Sequence, residues 1–418
     1  MVYLIHSHKG YIMKLDLNDL LYSLSYALDC VEAEIFGVNP YHSERVAYIC
    51  VLLGKAYHYS DKDLLHLAAA AALHDNALTE YVAVRRAQMD HPTEEATNLP
   101  TADLLKVHCE MGEKNAAILP FYQDIKSAIL YHHESADGTG PFGMKHTETC
   151  QFAQIIHLAD LLDNVFDLTN VTDELYQKIY NYLEKYKGEL FCPELVETCH
   201  RAVPKPVHTL LAGEAPRKLI HEKFPLHFED YNDDAIIGLA TMFAKVVDYK
   251  SHFTCNHSLG IAQKAKKMGE YYKFDKESNT KLYLAGALHD IGKLTVGNDI
   301  LEKPDKLTKE EFEIMKGHAK ASWDILGRMA NMEEIQAWAA LHHEKLNGKG
   351  YPFHMDGQDL NKIERLMACL DIYQALTESR PYKDGFSHAK TMEIMHGMVA
   401  KGEIDKEITE DINICFSA

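Results

Sequence analysis

The chain has 418 residues, 46% of them apolar and 25% charged, with a formal net charge of -19. That length suits two or three domains with sizeable packed cores, and so acidic a balance excludes non-specific binding to a nucleic-acid polymer, which runs on Lys and Arg neutralising phosphates. Nine scattered cysteines without a CxxC pair exclude a disulfide framework. No apolar run is long enough to cross a bilayer, and the start lacks a signal-peptide core, so a cytoplasmic protein without a membrane partner is expected.

In chain order, VYLIH followed by KGYIMKL suits a small N-terminal β-hairpin. Beyond it, apolar residues recur at three and four positions and alternating strand patterns are scarce, so the expected fold class is all-α. On this helical background His42 appears in YHSERVAYI, and LLHLAAAAALHD ends on His74-Asp75. His108 follows, then His132-His133-Glu134, then Asp160 in HLAD. ELYQKIYNYLEKYKGELF reads as an amphipathic helix closing this unit. Residues 201–230, with Pro204, Pro206, Pro216 and Pro225, read as a linker. DDAIIGLATMFAKVVDYK reads as the first helix of the next unit.

The series then repeats. His257 lies in NHSLGIA, and LYLAGALHD ends on His289-Asp290; the separation is 32 positions, as it is from His42 to His74. His318 precedes His342-His343-Glu344 by 24 positions, as His108 precedes His132 by 24. Asp371 in CLD closes the set. The offsets between the halves stay between 210 and 215, so the chain holds two tandem copies of one helical domain, 1–200 and 231–418. A lone histidine is ordinarily a surface or satisfied core residue; packing does not explain seven ligand-type residues repeated in order at fixed spacing.

Imidazoles and carboxylates in such a set suit first-row divalent ions. Adjacent helical residues diverge by about 100°, so each His-Asp or His-His pair addresses two neighbouring ions. Asp290, with two oxygens, suits a bridge between them. Two ions would bind a phosphodiester's oxygens, generate hydroxide from a bridging water and hold it in line with the leaving oxygen. Lys293, one turn from the pair, suits the leaving group.

The second copy resembles the HD-GYP family of the HD phosphohydrolase superfamily, on the strings HDIGKL (289–294), MKGHAKASWDIL (315–326), HHEKLNGKGYP (342–352) and RLMACLDIYQALTESRPYK (365–383). The resemblance implies an all-helical HD fold and hydrolysis of a cyclic dinucleotide, either 3′,3′-cyclic GMP-AMP or cyclic di-GMP, to a linear 5′-phosphorylated dinucleotide. It implies that His257, His289, Asp290 and Asp371 hold one metal, and Asp290, His318, His342 and His343 the other. Iron or manganese is expected first, with nickel, cobalt, magnesium or zinc as alternatives. Asp248 is a candidate ligand for a third ion. Asp290 and Lys293 would be catalytic, with Lys293, Tyr351, Arg380 and Lys383 on the substrate.

The first copy keeps His42, His74, Asp75, His108, His132, His133 and Asp160, and so a second candidate metal site. It has Leu78 at the Lys293 position, DGTGPFG in place of the GYP loop, and no Arg-Pro-Tyr-Lys. That reads as a degenerate or regulatory copy packed on the catalytic one. The tandem layout resembles bacterial phosphodiesterases that degrade 3′,3′-cyclic GMP-AMP. A non-catalytic cyclic-dinucleotide sensor and an HD nucleotidase acting on another nucleotide are the alternatives, and a homodimer is one option for the assembly.

Overall fold

The computed structural model describes residues 12–36, 41–81, 102–204, 211–224, 228–250, 257–303, 305–379 and 384–417. Helices dominate them. The first half contains α1 (Leu17–Phe36), α2 (His42–Ala56), α3 (Asp61–Ala72), α4 (Ala102–Ala116), α5 (Gln151–Val165), α6 (Asp173–Lys185) and α7 (Pro193–Ala202). After α8 (Ala215–Lys223) come α9 (Asp233–Asp248), α10 (His257–Tyr271), α11 (Lys276–Leu288), a 3-10 helix (Ile291–Thr295), α12 (Lys309–Leu326), α13 (Glu333–Ala340), α14 (Lys362–Thr377), α15 (His388–Ala400) and α16 (Lys406–Phe416).

Local chemistry sets many of the helix starts. Ser60, Thr172, Asn232, Asp275, Ser387 and Asp405 cap α3, α6, α9, α11, α15 and α16 with side-chain oxygens. Thr308 with Glu311, and Asn361 with Glu364, form reciprocal capping boxes at α12 and α14. α2 and α10 begin on the first histidine of each ligand series, His42 and His257. There Asp29 and Asp248 play matching parts: each carboxylate accepts the backbone N–H and the hydroxyl of the following serine, Ser43 or Ser258, the hydroxyl at 2.6 Å in both copies.

Of the expected N-terminal hairpin, one arm is described. Strand β1 (Ile12–Leu15) pairs antiparallel with β2 (Glu229–Asn232), Ile12 opposite Asn232 and Leu15 opposite Glu229. The partner suggested by the sequence, VYLIH, lies outside the described residues. Extended residues announce that they want a partner but not which one; here the partner ends on the residue that caps α9. The supposed linker also contains a helix, α8, with Pro216 in its first turn, where a missing N–H is harmless.

The buried apolar side chains of both halves form one continuous cluster. Leu24, Leu28 and Leu73 of the first half meet Met242, Phe243, Val246, Ile291 and Leu294 of the second along a narrow seam. Polar bonds flank it. Glu34 on α1 accepts from Lys250 Nζ at 2.5 Å and from the backbone N–H of Asn298 at 2.8 Å. Arg328, just past α12, donates to Glu44 on α2 at 2.7 Å. Arg217 on α8 donates to Ser23 at 3.1 Å and to the carbonyl of Arg328 at 2.9 Å.

Candidate metal centre

In the second half, His257 opens α10, His289-Asp290 follows α11, His318 sits within α12, His342-His343 follows α13 and Asp371 sits within α14. Five elements thus aim ligand-type atoms at one point. Three groups have mutually close ligand atoms: His257, His289 and Asp371; His318, His342 and His343; and His289, Asp290 and His342, which joins the other two. Asp290 lies at the middle. One oxygen is 3.0 Å from His289 Nε2 and 2.5 Å from Lys293 Nζ; the other is 3.4 Å from His318 Nε2 and 3.7 Å from His342 Nε2.

Three of these rings are fixed by the same local device. The Nδ1–H of His289, His318 and His342 donates to the carbonyl three residues earlier, in Gly286, Met315 and Ala339, at 2.6–2.8 Å. A carbonyl only accepts, so the proton sits on Nδ1 and each Nε2 presents a lone pair inward. All three Nε2 atoms are buried without a hydrogen-bond partner, as is Asp290 Oδ1. Buried acceptors with no donor are expensive, and cations satisfy all of them together. Burial and neighbouring charges push the pKa of His318 down to about 3 and lower those of His342 and His343. They are therefore neutral, as ligands must be. The residues present fit a pair of divalent ions.

His257 differs. Burial lowers its basicity, but bonds to Asp371 and Glu378 outweigh that and raise it to about 9. Its Nδ1 is 2.9 Å from Glu378 Oε2, and its Nε2 is 3.3 Å from Asp371 Oδ1. Glu378 is thus the outer carboxylate that orients this ring. The sequence reading missed it; the available signal was its position seven residues after Asp371, two helical turns along one face. Glu378→Gln is expected to weaken divalent-ion affinity about 10- to 100-fold, measured by metal titration of the stripped protein.

The cluster opens to solvent on one side. His343 keeps 27% and Lys293 18% of its side chain exposed, whereas His289 and His342 keep none. Tyr351 stands on this open side, its ring 4.7 Å from that of His343. Lys316, which the sequence reading also missed, puts its ammonium 5.9 Å from the Tyr351 ring and 5.5 Å from the exposed Phe312. Glu344, third in His-His-Glu, holds the loop: its carboxylate accepts from the N–H of Phe353 at 2.6 Å and of Met355 at 3.0 Å. At Gly350 a side chain would lie 2.4 Å from the backbone of Glu344, so only glycine lets the loop close. Arg380 and Lys383 lie outside the described residues.

The first half repeats the arrangement. Asp75, His108, His132 and His133 form one close group, and His42, His74 and Asp75 another. The Nδ1–H of His74 and of His132 donates to the carbonyl of Ala71 and of Ile129 at 2.7 and 2.6 Å, and His132 Nε2 is buried without a partner. Asp160 lies 3.4 Å from His42 and 3.5 Å from His74. His42 Nδ1 is 2.7 Å from Asp163, which Arg45 also grips. Leu78, at the Lys293 position, is buried.

The HD domain family model matches residues 241–408, and a second HD domain model matches 41–165. A protein of Vibrio cholerae serotype O1 named 3′3′-cGAMP-specific phosphodiesterase 1 is 28% identical over 95% of this chain and 91% of its own length. A cyclic di-GMP phosphodiesterase of the same organism is 33% identical over 39% of this chain and 35% of its own. The crystal structure of a cyclic GMP-AMP specific phosphodiesterase of V. cholerae superposes with a TM-score of 0.66 at 23% identity, covering 98% of each chain, so the fold is shared from end to end.

Proposed function

Because this chain belongs to the HD domain family and carries the domain twice, we propose that its second copy is a metal-dependent phosphodiesterase that opens a 3′,3′-linked cyclic dinucleotide. The product is the linear, 5′-phosphorylated dinucleotide. The observation that carries this is the ring of inward-facing, unpartnered histidine nitrogens around Asp290, with Lys293 and Tyr351 on its open side. Cyclic GMP-AMP is the first substrate to try and cyclic di-GMP the second, from the substrates named for the relatives.

Asp290 joins two ligand groups, one from His257, His289 and Asp371 and one from His318, His342 and His343. Divalent ions held there would neutralise the phosphate and make water acidic enough to lose its proton near neutral pH. Iron or manganese fits a donor set of imidazoles and carboxylates without thiolate. Lys293 keeps its proton: burial opposes its charge, but Asp290 outweighs that and raises its pKa. It therefore brings a cation, and a proton on Nζ, to the leaving 3′ oxygen as the P–O bond breaks. Tyr351 offers a ring beside the phosphate on which a base can rest. Arg380 and Lys383 would meet the substrate from the segment after α14. No helix among the described residues is long and apolar enough to cross a membrane. The bonds from Glu34 and Glu44 into the second half support a reading in which the two copies work as one body.

Lys293→Met tests the reading, since it removes the charge and keeps the stem. Turnover of cyclic GMP-AMP by metal-loaded protein should fall about 100-fold or more, with bound metal unchanged. Unaltered turnover would remove Lys293 from the mechanism.

A further inference from the structure

Away from both ligand clusters, the first half and the connector enclose a cavity of about 580 Å³. That is the size of a small-molecule site, and such sites favour junctions between domains. Its walls come from α1, α3, the segment 120–124, α8 and β2. None of its lining residues belongs to either ligand cluster.

The walls are aromatic. His66 and Phe121 stack, their ring centroids 4.8 Å apart and their planes 12° from parallel. Phe224, just past α8, and Tyr231, on β2, line the same space. Phe224 already attracts a cation, since the ammonium of Lys55 stands 4.8 Å from its centroid. The charge of the lining is one-sided. Asp16, Asp61, Asp124 and Glu229 face one ammonium, Lys62, itself paired with Asp124 at 3.1 Å. Burial lowers the pKa of His66 and leaves that ring neutral. Tyr22 also lines the cavity; it is 1% exposed, and its hydroxyl is buried without a hydrogen-bond partner among the described residues. A buried hydroxyl left unpaired is costly, and a ligand's polar edge would satisfy it.

We propose that this cavity binds an organic cation, a protonated amine on a flat apolar body, at a site separate from the hydrolytic centre. The rings hold the flat body, the carboxylates hold the ammonium, and Tyr22 pairs with a polar edge. The same walls repel the phosphates of a cyclic dinucleotide, so the substrate of the second copy is excluded here.

The position of the cavity gives binding a consequence. α8 lines it with Ile220 and His221, and His221 lies 3.3 Å from Asp19 on α1. Through Arg217 the same helix donates to Ser23 on α1 and to the carbonyl of Arg328 in the second half. β2 ends on Asn232, which caps α9. A ligand that braces α1 against α8 and β2 therefore steadies the joint between the two copies.

The test uses the full chain and two probes that share an indole ring and differ in charge, tryptamine and indole-3-propionate. Calorimetry measures affinity, and a melting scan reads the response. Tryptamine should bind and raise the melting temperature as its concentration rises, and indole-3-propionate should bind about tenfold more weakly or worse. Asp124→Asn with Glu229→Gln should weaken tryptamine about tenfold or more, the size of one charge-assisted bond. Tyr22→Phe should weaken it too, yet cost no stability, because it deletes an unpaired group. Cyclic GMP-AMP should not displace tryptamine. No binding of tryptamine, equal binding of the two probes, or unchanged affinity in the double variant would overturn the proposal. Displacement by cyclic GMP-AMP would overturn it as well, by placing the amine at the hydrolytic centre. Turnover of cyclic dinucleotides judges the hydrolytic reading separately, since no step here uses it.

Discussion

Asp290→Asn should abolish turnover, by about 10³-fold or more, which corresponds to about 4 kcal/mol of barrier. The substitution keeps the shape of the side chain and removes its charge. Asp290 belongs to the group that joins the other two, its oxygens within 3.0–3.7 Å of His289, His318 and His342. Burial disfavours its charge, but His289 and Lys293 outweigh that and hold its pKa well below the ordinary carboxylate range. It is therefore ionised at every pH at which the protein would work. An amide in its place would leave Lys293 without its counter-charge and take the negative charge from among the histidine nitrogens. Steady-state turnover beside elemental analysis checks this, and bound metal should fall in the same variant. A variant with near-normal turnover would show that the centre does not use its central carboxylate.

Gly292→Ala should have the second large effect, through assembly. Glycine lets the 3-10 helix press directly on α12: an added methyl would lie 2.0 Å from the carbonyl oxygen of His318 and 2.5 Å from the backbone nitrogen of Ser322. Neither is the tip of a flexible side chain, so backbone must move. The contact is also a latch, since the N–H of Gly292 donates to Ser322 Oγ at 2.9 Å and that hydroxyl donates to the carbonyl of His289 at 2.8 Å. Parting these segments separates His289-Asp290 from His318. A loss of about 3 kcal/mol of stability is expected, at the upper end of overpacked core sites, with loss of metal. Denaturant unfolding of the metal-free chain isolates the first effect and elemental analysis the second. A variant as stable and as metal-rich as wild type would contradict the described packing.

The ligand spacing was readable because each ligand sits on or beside a helix whose length the sequence repeats; 32 positions from His257 to His289 are two antiparallel helices and a turn. Residues that act on the ligands were harder to see. Asp248, nine positions before His257, is a candidate third-metal ligand in the sequence, and in the structure its oxygens accept from Ser258 at the start of α10, as those of Asp29 do from Ser43. Burial raises its pKa to about 7. A capping carboxylate and a ligating one look alike in sequence. Glu378 was missed because the matched copy takes its outer carboxylate from Asp163, three residues after Asp160 rather than seven. The pairing of Ile12–Leu15 with Glu229–Asn232 spans more than 200 residues, and no local pattern encodes such a partner.

The most direct measurement is product analysis with the metal-loaded wild-type chain, reconstituted anaerobically with iron or with manganese and offered 3′,3′-cyclic GMP-AMP and cyclic di-GMP in parallel. The expected result is one linear dinucleotide from at least one substrate, carrying a single 5′-phosphate, with none formed after chelation or by Asp290→Asn. Tight binding of both substrates by fully loaded protein without any linear product would contradict a hydrolytic centre at Asp290 and make the second copy a sensor.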